Sequence, residues 1–182
     1  MLHVVPFGSF VYGTNTPMSD RDLVLVTDEA VDLRIYGDAD IQVYEPAVYQ
    51  RHLDNHEPWA IELFFTSSTL QNDFTFVLDL IKLRHAFSAV TSNAYVKCKK
   101  KLTVEMDQKS FYNGRKSLWH TLRILQFGIQ ICKYRKITDF SSANRFYDGI
   151  VHQGKFWPEL HIEYTPEYKR LCSVFKALAP KK

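Results

Sequence analysis

Near residue 46 the spacing of the apolar residues changes, and this change limits the fold more than any other feature of the chain. Before it, apolar residues come in short runs of strand length, "LHVV" at 2–5 and "LVLV" at 23–26. "ADIQVYEP" at 39–46 alternates Ile41 and Val43 with Asp40, Gln42 and Tyr44, the pattern of a half-buried strand. From "AVYQRHL" onward the spacing is helical, through "WAIELFF", "FTFVLDLIKLRHAFSAVTSNAYVKCKKKL" and "GRKSLWHTLRILQFGIQICKYRK". In the last of these Leu118, Leu122, Leu125, Ile129 and Cys132 follow a three-or-four step, which leaves Arg115, Lys116 and Arg123 off the stripe. Strands lead and helices follow. The order predicts an α+β protein, a small mixed β-sheet core over residues 1–68 followed by a helical C-terminal region over 69–182.

Charge is distributed as unevenly as periodicity. The formal net charge is only +3, in a chain of 182 residues that is 46% hydrophobic and 24% charged. The basic residues, however, gather in "KCKKKL" at 97–102, "GRK" at 114–116, "KYRK" at 133–136 and the terminal "PKK", while most acidic residues precede residue 80. Such asymmetry suits a negatively charged ligand meeting the second half. Cys98, Cys132 and Cys172 stand far apart without zinc-site spacing, and reduced interior thiols are expected. No signal peptide opens the sequence, no apolar run is long enough to span a bilayer and no lipidation motif closes it, so a cytoplasmic protein with no membrane partner is expected.

The chemistry concentrates in "FGSFVYGTNTPMSDRDLVLV", residues 7–26. "SDRD" matches a capping box with Ser19 as N-cap and Asp22 at the third helical position. The β-branched run that follows, with Val24 and Val26, argues for a strand instead. On a strand Asp20 and Asp22 leave the same face, and two neighbouring carboxylates in a partly buried place are relieved by a cation, magnesium for an all-oxygen site. Gly8 permits close backbone approach, Ser9 is placed to cap the short turn "SFVY", and Gly13 to end it. The start of that turn is a phosphate-binding candidate. Neither the P-loop nor the dinucleotide GxGxxG pattern is present.

Gly-Ser, a gap of about ten residues and Asp-x-Asp on a strand together resemble the signature of the DNA polymerase β-like nucleotidyltransferase superfamily. "YGTNTPMSDRDL", "DIQVYEPAVYQRHLDNHEPWAIELFF" and "KSLWHTLRILQFGIQI" further resemble stretches of its RNA-repair-associated, RlaP-like branch, covering most of residues 7–132. The resemblance implies a polymerase β-like core and transfer of a nucleoside monophosphate from an NTP, ATP among them, to an acceptor hydroxyl. It implies Asp20, Asp22 and Asp40 as catalytic residues and ligands of a two-ion magnesium or manganese site. Asp38 shares the strand parity of Asp40 and competes for the third place. Members of the superfamily usually carry a helix ahead of the Gly-Ser strand; here seven residues precede Gly8, so one sheet face is expected to be thinly covered.

In-line attack on an α-phosphate needs the charge on the pyrophosphate neutralised and the attacking oxygen brought toward deprotonation, which such a carboxylate and metal set supplies. Gly8 and Ser9 are expected at the nucleotide. Lys116 and Arg123, seven apart and so nearly on one helix face, are expected to reach the β- and γ-phosphates, with a solvated face as the alternative. His120 lies between them. Glu62, among apolar residues in "WAIELFF", suits a buried ion pair. The basic second half favours a nucleic-acid acceptor, RNA above others. The alternatives are AMP transfer to a protein or small molecule, and a non-catalytic nucleotide- or RNA-binding module.

Overall fold

The computed structural model describes residues 1–105 and 107–181 and divides into two compact units, Met1–Leu78 and Asp79–Lys182. The division falls ten residues later than the sequence pattern suggests. The reason is that residues 69–76 pack into the first unit: Leu70 is fully buried, Phe74 meets the rings of His3 and Tyr49, and Phe76 meets those of His56 and Phe64.

The first unit holds a three-stranded mixed sheet, β1 (Leu2–Phe7), β2 (Asp22–Thr27) and β3 (Asp40–Tyr44), in the order β1-β2-β3. β1 and β2 are antiparallel and β2 and β3 parallel, with a single turn α1 (Ser9–Tyr12) between the first two. Three short helices follow: α2 (Pro46–Asp54), α3 (Pro58–Thr66) and α4 (Ser68–Asp73). Pro46 and Pro58 open the first two, where a missing N–H costs nothing. Ser67 caps the third, its Oγ accepting from the Leu70 amide at 3.3 Å.

Register decides which sheet face meets these helices. Val5 pairs with Val24 and His3 with Val26, and Gln42 and Tyr44 continue the same rows on β3, so these residues share a face. His3 is held by Thr69 and Asp73 on α4, and Tyr44 stacks on Trp59 of α3 with ring centroids 4.6 Å apart. That face is therefore the one the helices cover. The apolar face of β3 points the other way: Val43 remains 48% exposed, and in its row Val4 is 41% exposed. This face is open at the two edge strands only. Leu25, central in the same row, is fully buried.

The second unit is helical: α5 (Leu80–Lys100), a π-helical turn (Lys101–Glu105), α6 (Gln108–Tyr134), α7 (Tyr147–Val151) and α8 (Trp157–Leu178). Asp79 and Asp107 cap α5 and α6, accepting from the amides of Ile81 and Ser110 at 2.8 and 2.9 Å. α6 is the centre of the unit. From Leu118 to Ile131 it buries residues on every side, including Trp119, Thr121, Ile124, Phe127 and Gly128 as well as Leu118, Leu122 and Leu125 of the predicted stripe, whose last members Ile129 and Cys132 are only half-buried. Gly128 is required for this packing, because a Cβ there would stand 2.8 Å from the Phe175 ring of α8 and 3.0 Å from the Phe87 ring of α5. The cysteines are free; burial pushes the Cys98 thiol up to about 12 and raises those of Cys132 and Cys172. No described helix is long and apolar enough to cross a membrane.

Candidate active site

The strand reading of "SDRDLVLV" holds from Asp22 onward, whereas Asp20, expected on the same strand face, precedes the strand. β2 begins at Asp22, and Ser19 caps no helix: it closes the turn 16–19, its Oγ accepting from the Thr16 amide at 2.8 Å. Ser9 likewise does not cap α1. Gly8 is the N-cap, with its carbonyl accepting from the amides of Val11 and Tyr12 at 3.1 and 3.2 Å, and Ser9 is the first helical residue. Gly13, at φ 71°, ends the turn as expected. A side chain at the N-cap is excluded by two features of Gly8. Its φ is +68°, and a Cβ there would fall 1.8 Å from Oδ2 of Asp22, so the carboxylate lies directly against the glycine backbone.

The sheet brings Asp22 and Asp40 into one row. Asp22 stands opposite Phe7 on β1 and opposite Asp40 on β3. Registered neighbours share a face, so the two carboxylates leave adjacent strands, about 4.8 Å apart, on the same side. The amide of Asp40 donates to the Arg21 carbonyl at 2.8 Å, which fixes this register at the end of the sheet nearest Gly8. Asp22 is half-buried and Asp40 exposed. Asp20 is exposed and lies just ahead of β2, while Asp38 sits in the turn before β3, outside the ladder.

The turn that carries Gly8 and Ser9 is anchored from below. Tyr12, 3% exposed, donates from its hydroxyl to Oε2 of Glu62 on α3 at 2.6 Å, and its ring meets Phe7 edge-on. Glu62 is itself 1% exposed. The sequence placed Glu62 in an apolar segment but gave no sign that Tyr12 is the group it meets, because the pair is fifty residues apart in the chain.

In the second unit, Lys116 and Arg123 do not share an environment. Lys116 is exposed, its Nζ 5.3 Å from the Tyr112 ring centroid. Arg123, expected off the apolar stripe, is 5% exposed instead, because α6 is covered on all sides at that level. Its guanidinium lies 4.9 and 5.7 Å from the ring centroids of Trp119 and Phe127 and donates to Nδ1 of His120 at 2.9 Å. Burial, then the positive charges of Arg123 and Lys97, pushes the His120 pKa down to about 3, so the imidazole is neutral and accepts that bond.

Among the described residues no three His, Cys, Asp or Glu side chains are gathered closely enough to hold a metal ion. In kind, the donor set fits a hard divalent cation: Asp22 and Asp40 offer carboxylate oxygens from adjacent strands, with Asp20 two residues upstream. An open hollow of about 400 Å³ in the same unit is lined by Leu33, Arg34, Gly37, Ala39 and Ile41, and does not include the aspartates.

No curated protein and no solved structure matches the chain. Residues 2–77, a segment that spans the Gly-Ser turn and all three aspartates and ends within one residue of the first unit, match the family model of the nucleotidyltransferase domain.

Proposed function

We propose that the chain is a metal-dependent nucleotidyltransferase that moves a nucleoside monophosphate from an NTP to the hydroxyl of a nucleic-acid end. The observation that supports this most is the row formed by Asp22 and Asp40 beside the Gly8 backbone, inside a segment matching a nucleotidyltransferase domain. Gly8 and Ser9 hold the donor phosphates through the backbone of the turn. Asp20 and Asp22 would hold a divalent cation, magnesium or manganese, with Asp40 completing the set on the acceptor side. Such a cation, when bound, neutralises the triphosphate and lowers the pKa of the attacking hydroxyl. In the reaction the acceptor oxygen forms a bond to the α-phosphorus, the bond from that phosphorus to the bridging oxygen breaks, and pyrophosphate leaves with its electron pair. Asp40 is the carboxylate best placed to receive the hydroxyl proton.

The acceptor is read as RNA from the resemblance of three stretches to the RNA-repair-associated branch, and from the basic second half. AMP transfer to a protein or a small molecule is the competing reading. Incubation of the protein with each α-labelled NTP, magnesium or manganese, and a mixture of RNA, DNA and protein acceptors identifies donor and acceptor together. Label is expected in RNA; label in protein establishes the competing reading.

A further inference from the structure

The two units carry opposite charge. Residues 1–78 contain three Lys and Arg against twelve Asp and Glu, whereas residues 79–182 contain twenty against eight. The excess is not spread evenly over the second unit. Where α5 ends and α6 begins, Lys109, Tyr112 and Lys116 are all exposed and follow the three-or-four step of one helix face, a rise of about 10 Å from first to last. The Tyr112 ring, 44% exposed, lies between the two lysines in sequence, and Lys116 holds its ammonium over that ring.

The end of α5 adds one further charge beside this face. A Cβ at Gly114 would stand 3.1 Å from the Cβ of Lys101, so the π-helical turn rests on the buried side of α6, opposite the face of Lys109, Tyr112 and Lys116. Lys97, one turn earlier, acts on His120 of α6, one turn beyond Lys116. The local acids are engaged elsewhere: Glu105 pairs with Lys100 at 3.5 Å and accepts from the Ser110 hydroxyl, and Asp107 caps α6. Lys97, Lys109 and Lys116 have no acidic partner among the described residues.

Three lysines without acidic partners among the described residues, beside an exposed aromatic ring, match the chemistry of a single nucleic-acid strand, whose phosphates need cations and whose unpaired bases offer faces for stacking. A folded acidic protein surface would satisfy the lysines but not the ring, and a duplex keeps its base faces covered. We propose that this corner of the helical unit binds single-stranded nucleic acid, with the lysines on successive phosphates and Tyr112 stacked on a base. This rests on the nucleic-acid acceptor proposed above and names the surface that takes it.

The test is equilibrium binding of a fluorescent twelve-nucleotide single strand, as RNA and as DNA, and of the matching duplex, to the full chain without NTP, across a salt series. The wild type is expected to prefer single strands. Changing Lys109 and Lys116 together to Gln should lower the slope of log K against log salt by about 1.4, near 0.7 for each lysine on a single strand. Tyr112→Leu should weaken binding about tenfold and leave the slope unchanged, since stacking releases no counterions. Lys169→Gln with Lys176→Gln, on α8, should change neither. Thermal melts of all variants report that surface changes leave the fold intact. An unchanged slope in the Lys109/Lys116 variant, an equal loss in the α8 control, or equal affinity for duplex overturns the proposal. These outcomes are separate from the transfer reaction: binding at this corner without label transfer contradicts the proposed activity, and transfer without binding here contradicts the proposed surface.

Discussion

Gly8 and Asp22 form the tightest constraint in the first unit. The carboxylate occupies the space that any side chain at position 8 would need, and the backbone there has positive φ. Gly8→Ala is therefore expected to cost about 2 kcal/mol, through strain and displacement of Asp22, and to abolish transfer. In an Asp22→Ala background the collision is removed and only the backbone strain remains, so the same change should cost about 1 kcal/mol. Urea denaturation of the four proteins in this cycle gives the coupling directly. A second residue-scale expectation concerns Tyr12→Phe, which deprives the buried Glu62 of a hydrogen bond and should destabilise the protein by about 1–3 kcal/mol.

At this scale part of the candidate site was legible in the sequence. Asp20 and Asp22 announced themselves by carrying charge toward a β-branched run, and Gly8 by standing at the start of a tight turn where only a glycine fits. That Asp40 rather than Asp38 stands opposite Asp22 follows from a parallel register fixed by the crossover between β2 and β3, and parity along one strand cannot choose between them. The burial of Arg123 was hidden for a similar reason. A three-or-four stripe assigns one apolar face, whereas a central helix is packed from several sides and accepts a guanidinium between rings.

Among the elements, β3 shows how alternation can mark a strand and leave its core face undetermined. Ile41 and Val43 have the period expected of an inward face, yet Tyr44 meets Trp59 and His52 on the helix side while Val43 lies on the less covered side. β2, buried on both faces at Val24, Leu25 and Val26, is the central strand and reads as a continuous apolar run for that reason. α6 makes the sharper predictions. Gly128→Ala introduces a methyl group between Phe87 and Phe175 and should cost about 1–3 kcal/mol by overpacking, measured as a lowered denaturation midpoint.

His120 on the same helix gives a pH dependence. Its folded pKa is about 3, below the ordinary value of 6.5, so the unfolded chain binds the extra proton between those values. Its contribution to stability is present above pH 6.5 and falls as pH is lowered through the window, by at most about 1.4 kcal/mol per pH unit. Replacing His120 by Gln should make stability less steep between pH 6.5 and 4 in denaturant titrations at successive pH values.

For the whole molecule, the change of periodicity near residue 46 marks where strands give way to helices, and the unit boundary comes later, at residue 78. α2, α3 and α4 have helical spacing but belong to the sheet's unit because their apolar sides cover β1, β2 and β3; periodicity reports the element and not its partner. The charge division follows the units more closely than the periodicity does, acidic before residue 79 and basic after it. The acidic unit holds the segment matching a nucleotidyltransferase domain, and its carboxylates are expected to require a cation before a triphosphate can bind.

The most direct test of the account is the effect of Asp40→Ala on two quantities at once, NTP affinity with magnesium and the rate of label transfer from the α-labelled nucleotide. A carboxylate serving the acceptor side contributes in the transition state more than in donor binding. The account predicts NTP affinity within about threefold of wild type and transfer reduced by at least about a hundredfold, with Asp38→Ala close to wild type in both. Transfer that survives Asp40→Ala, or is lost in Asp38→Ala alone, would contradict it.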